Sequence, residues 1–141
     1  MAQCLEVVGE WWTMLIVRDA LWGYSRFDEF QRRLGISRSV LGVRLERLVD
    51  HGIMVKIAYS SAPLRYEYRL SEIGRDLWPI VNAMRQWGDK YRAPMGPPVE
   101  LMHLGCGEIT TVIQVCGACG EPVNPGNVIA SSTRSQRESI S

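Results

Sequence analysis

The sequence predicts a mainly α chain with a small β-hairpin (α+β), on three observations. Residues 25–34 and 37–50 are two short amphipathic segments at helical spacing, split by a turn around Gly35. Strand-like runs follow at 53–58 and 65–70, with Ser60, Ser61, Ala62 and Pro63 as the turn. A long apolar stripe of 3.6-residue period then runs from Leu77 to Tyr91. Helix, turn, helix and hairpin in this order make a winged helix-turn-helix, which offers one helix to the DNA major groove.

Each element has a local cause. Leu5, Val7 and Val8 form a short apolar start closed by Gly9. Trp12, Leu15, Ile16 and Ala20 then recur at helical spacing up to Gly23, a natural helix stop. Ser25 is the expected cap of the next helix, whose first turn holds Asp28 and Glu29 at the positive end of the macrodipole. Phe27, Phe30 and Leu34 are its buried stripe, and Gly35 ends it in the left-handed conformation.

Ser37 caps the following helix, and Leu41, Leu45 and Leu48 set its inner face. Ser39, Val43, Glu46, Arg47 and Asp50 then turn outward, with Arg38 near the N-terminal end; Gly52 closes the helix. In the second strand Tyr66, Tyr68 and Leu70 alternate with Arg65, Glu67 and Arg69. Ser71 and Glu72 open one long last helix, bearing Leu77, Ile80, Val81, Met84, Trp87 and Tyr91 on one side. Pro79 falls inside it, where a kink is expected. That stripe exceeds what a small winged core can cover. It reads as a homodimer face against the N-terminal helix of a second copy; the alternative is that it folds back on its own chain.

The organisation that follows is a DNA-binding and dimerisation domain over 1–92, a linker at 93–98 (APMGPP), an extension over 99–130 and a polar, disordered tail over 131–141. At 141 residues, 46% hydrophobic and 22% charged, the composition is that of a soluble globular chain. No apolar run approaches the roughly 18 residues that span a bilayer, and no signal-peptide pattern opens the chain, so a cytoplasmic protein is expected.

A net charge of +1 excludes a general polyanion binder, but charge is unevenly spread. From Arg26 to Arg69 nine basic residues face five acidic ones, a local excess of +4; from Pro94 onward two Arg face four Glu. The positive field sits where phosphate attraction would need it.

Separated motifs carry a family resemblance. They are Cys4; Gly9-Glu10-Trp11-Trp12-Thr13-Met14-Leu15-Ile16-Val17-Arg18; Arg26-Phe27-Asp28-Glu29-Phe30; Ile36-Ser37 with Leu41 and Arg44-Leu45; Gly52-Ile53; Tyr59; Pro63 to Ser71; Gly74; Leu77-Trp78-Pro79; and Trp87-Gly88. Together, over roughly the first two thirds of the chain, they resemble the HxlR-type winged-helix transcription regulators, relatives of the MarR group. The resemblance implies dimeric, sequence-specific binding of double-stranded DNA, usually as a repressor. Trp11 departs from a commonly basic position, and Leu64 replaces a frequent second proline of the wing.

In a dimer the two outward helices would enter successive major grooves about 34 Å apart, so the operator should be a near palindrome. The expected DNA-facing set is Arg26, Ser37, Arg38, Ser39, Val43, Arg44, Arg47 and Arg65. Arg38 and Arg47 can grip guanine edges or phosphate, Ser39 can donate or accept, and Val43 can meet a thymine methyl. Arg26 and Arg44 suit phosphates, and Arg65 suits the minor groove or backbone from the wing.

Beyond the linker, His103-Leu104-Gly105-Cys106-Gly107 and Cys116-Gly117-Ala118-Cys119-Gly120 are two knuckles of the form ligand-x-x-Cys-Gly. A glycine after the second ligand permits the tight turn that aims backbone N–H groups at sulfur. Residues 108–115 between them read as β-structure. The layout resembles a zinc ribbon, with His103, Cys106, Cys116 and Cys119 as a closed structural Zn2+ site. A disulfide, disfavoured in a reducing cytosol, and a redox-active CxxC are the alternatives.

Cys4 resembles the N-terminal cysteine that some relatives use to sense oxidants or electrophiles; the other reading is a small buried hydrophobe. A ligand pocket at a dimer seam lined by Trp12, Trp22, Trp78 or Trp87 is a further alternative, as is a protein-interaction module on the same scaffold. No catalytic pattern stands out. His51 and His103 are far apart, and His51 suits a helix C-terminus, so the chain reads as a non-enzyme.

Overall fold

The computed structural model describes residues 1–130; the tail expected over 131–141 lies outside the described residues. The chain divides into two compact units, Met1–Pro98 and Val99–Ser141. Among the described residues, no helix is long and apolar enough to cross a membrane.

The first unit runs α1 (Ala2–Val8), α2 (Trp11–Leu21), α3 (Phe27–Leu34), α4 (Arg38–Asp50), β1 (Met54–Ser61), β2 (Leu64–Leu70), α5 (Glu72–Arg75) and α6 (Trp78–Arg92). This is a winged helix-turn-helix. Its core gathers Ile16 and Val17 of α2, Phe30 of α3, Leu41, Leu45 and Leu48 of α4, and Met54 and Tyr68 of the hairpin. The turn between α3 and α4 is short because Gly35 takes a left-handed φ of 64°, Ile36 buries beneath it, and Ser37 Oγ accepts from the Val40 N–H at 3.3 Å.

Three expectations are corrected. Ser25 does not cap α3: Arg26 holds that position, and the Glu29 carboxylate accepts from the N–H groups of Ser25 at 3.0 Å and Arg26 at 2.9 Å. Those two bonds hold the Glu29 carboxyl below the usual carboxylate range. The last helix is two helices. Ser71 caps only the four-residue α5, and Pro79 falls in the first turn of α6, where its missing N–H breaks no helical bond and no kink results. Within α5, Gly74 packs directly on the base of the hairpin, where a Cβ would run into the Ile53 carbonyl oxygen. Finally, the expected β-structure over 108–115 shrinks to Ile109–Thr110.

β1 and β2 pair antiparallel, and the register slips at Tyr59: Ala58 faces Tyr66, but Ser60 faces Arg65. Tyr59 is thus an extra residue in β1, a bulge that re-aims its side chain. Both strands run further toward the tip than expected, leaving Ala62 and Pro63 as the turn.

The second unit holds β3 (Leu101–Met102) and β4 (Ile109–Thr110), paired antiparallel, and an isolated bridge between Val115 and Pro122. None of its described residues is buried. The N–H groups of Ala118 and Cys119 bond to the Cys116 sulfur and hold that thiol below its usual range.

Candidate nucleic-acid interface

The exposed start of α4 follows directly from its inner leucines. With Leu41, Leu45 and Leu48 buried, Ser37, Arg38, Ser39, Val40 and Val43 stand out to solvent, Val43 at 62% exposure. Ser37 and Ser39 place their hydroxyls 3.3 Å apart at this end. Arg38 lies over the Phe27 ring at 5.2 Å, with a long 3.4 Å bond to Gln31.

Arg26 is brought alongside by the wing. The Tyr68 N–H donates to the Ser25 carbonyl at 2.7 Å, and Arg26 bridges Glu67, so the start of α3 is pinned to β2. The bulged Tyr59 then meets the Arg26 guanidinium, 4.9 Å from the ring centroid. Arg65 stands exposed near the end of β2 close to the turn. Arg26, Arg38 and Arg65 all line one groove of about 550 Å³, together with Phe27, Tyr59 and Tyr66; Asp28 is its acidic member.

Ion pairing sorts the basic residues of this region. Arg32 pairs with Asp28, Arg33 with Asp19, Arg44 and Arg47 with Glu10, Lys56 with Glu46, and Arg69 with Glu67. Of the nine between Arg26 and Arg69, the three in no salt bridge among the described residues are those of the groove. The hydrogen bond from Lys56 to Glu46, 2.6 Å long, holds the ammonium above its usual range and straps the wing to α4.

Two expected DNA-facing cations point elsewhere. Arg44 is ion-paired with Glu10, its side chain only 21% exposed. Arg47 donates to Glu10 Oε1 at 3.1 Å and to the Glu6 carbonyl at 3.0 Å. Sequence reasoning missed these partners because it treated the outward face of α4 as free. Glu10 stands beside Trp11-Trp12 at the start of α2, but nothing in local spacing ties it to residues more than thirty positions on. Cys4 lies half-buried on α1, packed against the core.

The match to known proteins decides the family: residues 7–95 match the HxlR-like helix-turn-helix. The chain belongs to the HxlR-like family. The uncharacterized HTH-type transcriptional regulator Rv3095 of Mycobacterium tuberculosis (strain ATCC 25618 / H37Rv) is 46% identical over 127 residues, 89% of this chain and 80% of that protein. That span is longer than the family match, so it reaches past the linker into the second unit. The crystal structure of PA1607, a proposed transcription factor, is 41% identical with a TM-score of 0.79, covering 90% of this chain and 89% of that one. The redox regulator HypR in its oxidized form is 35% identical with a TM-score of 0.61, over 64% of this chain and 95% of that one. The HxlR-like chain is therefore a transcription regulator with a helix-turn-helix DNA-binding fold, and not an enzyme.

Proposed function

We propose that this HxlR-like protein works in the cytoplasm as a homodimer, binds a near-palindromic operator in double-stranded DNA, and represses transcription from it. The observation that carries this reading is the convergence of three arginines that have no salt bridge among the described residues, Arg26, Arg38 and Arg65, on one groove beside the exposed start of α4. In it, Arg38, Ser37, Ser39 and Val43 face base edges, while Arg26 and Arg65 hold phosphate on either side. Arg44 and Arg47 serve first to lock α4 against the N-terminal segment.

Dimerisation is supported by the apolar face left open on α6. Ile80, Met84, Trp87 and Tyr91 are all at least 40% exposed, and Trp11 and Leu5 near the N-terminus are exposed too. A second copy placing its N-terminal segment on α6 would cover both sets.

Titration of promoter fragments across a salt series tests the reading. Arg65→Ala should flatten the plot of log affinity against log salt by about 0.9 if Arg65 neutralises a phosphate. Arg38→Ala should cost about 1–3 kcal/mol on the preferred site and relax the preference there. A protein-interaction module would give no salt-dependent shift at all.

A second reading, redox control of DNA release through Cys4, is favoured by one contact. Arg47 of α4 donates to the Glu6 carbonyl of the helix that carries Cys4, so a change at that helix reaches the DNA-facing one directly. Diamide treatment of wild type and Cys4→Ser checks it: release in both alike would remove Cys4 from control.

A further inference from the structure

The second unit makes the same turn twice. In one, the Gly107 N–H donates to the His103 carbonyl at 2.7 Å and the His103 N–H to the Glu108 carbonyl at 2.9 Å. In the other, the Gly120 N–H donates to the Cys116 carbonyl at 2.8 Å and the Cys116 N–H to the Glu121 carbonyl at 2.8 Å. The closing glycines are both left-handed, with φ of 76° at Gly107 and 78° at Gly120. HLGCGE and CGACGE are thus one structural motif written twice.

The first and fourth positions of each copy carry soft donor atoms. His103 Nδ1 lies 3.3 Å from Cys106 Sγ. Across the second turn the N–H groups of Ala118 and Cys119 are aimed at the Cys116 sulfur. Gly105 leaves room for the imidazole, since a Cβ there would press on the His103 ring. Each knuckle therefore offers two ligands of the kind a tetrahedral zinc ion takes from each half of a ribbon.

An independent observation says why an ion is needed. No described residue of this unit is buried, while Leu104, Ile109, Ile113 and Val115 stand exposed. Two-residue strands with no core cannot hold a pair of hairpins together by apolar burial. Something else must supply the folding energy, and a structural metal does so directly.

We propose that His103, Cys106, Cys116 and Cys119 bind one structural zinc ion per chain in a closed Cys3His site. The donors stand as two pairs, and among the described residues no group of three or more His, Cys, Asp or Glu is gathered in metal-binding geometry. On binding, three thiols lose their protons to solvent, imidazole coordinates in its neutral form, and the three thiolates leave the filled site with one net negative charge.

The experiment uses the full chain purified under reducing conditions without chelator. Metal analysis should give one zinc per chain, and exchange for cobalt(II) should give the visible absorption of a tetrahedral thiolate complex. Cys119→Ser and His103→Ala should each lose the ion; Cys4→Ser should keep it, and so should His103→Cys, which swaps one zinc ligand for another. Far less than one zinc per chain, with Cys106, Cys116 and Cys119 freely titratable in the native protein, would overturn the site. So would a Cys116–Cys119 disulfide in the isolated protein, or full zinc retention by His103→Ala.

Discussion

The Asp19 carboxylate, fully buried, is gripped by Arg33 of the next helix at 3.0 Å. Arg18 reaches the same carboxylate at 2.8 Å, and Arg33 also donates to the Tyr24 hydroxyl at 3.0 Å. One buried anion thus ties α2 to α3 and fixes the first helix of the DNA-binding pair. Asp19→Asn should cost about 3 kcal/mol in denaturant unfolding, the low end for breaking a buried pair, because both guanidinium groups keep contact with water. A loss below about 1 kcal/mol would mean that the tie contributes little.

Glu10 decides what Arg44 and Arg47 are free to do. Glu10→Gln removes two partly exposed ion pairs, so stability should fall only by about 1 kcal/mol. DNA binding should strengthen, with a salt slope steeper by up to about 2, if the released arginines swing to phosphate. An unchanged slope would show that neither reaches the duplex even when released.

Much of this was legible in the sequence, and the misses have physical causes. Ser37, Gly35 and the Leu41/Leu45/Leu48 stripe act within one or two helical turns, where spacing carries the information. Asp19 lies three residues after Ile16, on the inward face of α2, so its burial could have been read from periodicity. The pairing of Glu10 with Arg44 and Arg47 could not, because it joins elements far apart in sequence. The split of the last helix was hidden because Leu77 and Ile80 keep the helical period across the break.

Gly74→Ala should destabilise the fold by about 1–3 kcal/mol, because the added methyl meets backbone rather than a flexible side-chain end. Gly88→Ala, where a Cβ meets nothing, is the matched control and should be neutral or slightly stabilising. Equal unfolding midpoints for the two variants would contradict the packing of α5 on the Ile53 carbonyl.

The Glu29 carboxyl titrates below its ordinary value of 4.5 because it accepts two backbone N–H bonds. Its contribution is therefore fully present above that ordinary value and lost as pH falls through the lowered native one. Glu29→Gln should be about 1 kcal/mol less stable than wild type near neutrality, as for a lost helix cap, and the gap should close in acid. Chemical denaturation at both pH values reads it; a pH-independent gap would point to lost packing instead.

The supernumerary residue in β1 belongs to one strand alone. Deleting Tyr59 would leave Ala58 opposite Tyr66 and Ser60 opposite Arg65 in a regular ladder, so β2 and Arg65 would keep their facing. What would vanish is the aromatic rest beneath the Arg26 guanidinium. A single codon lost there would leave every cation of the groove in place, with Arg26 deprived of the ring that steadies it.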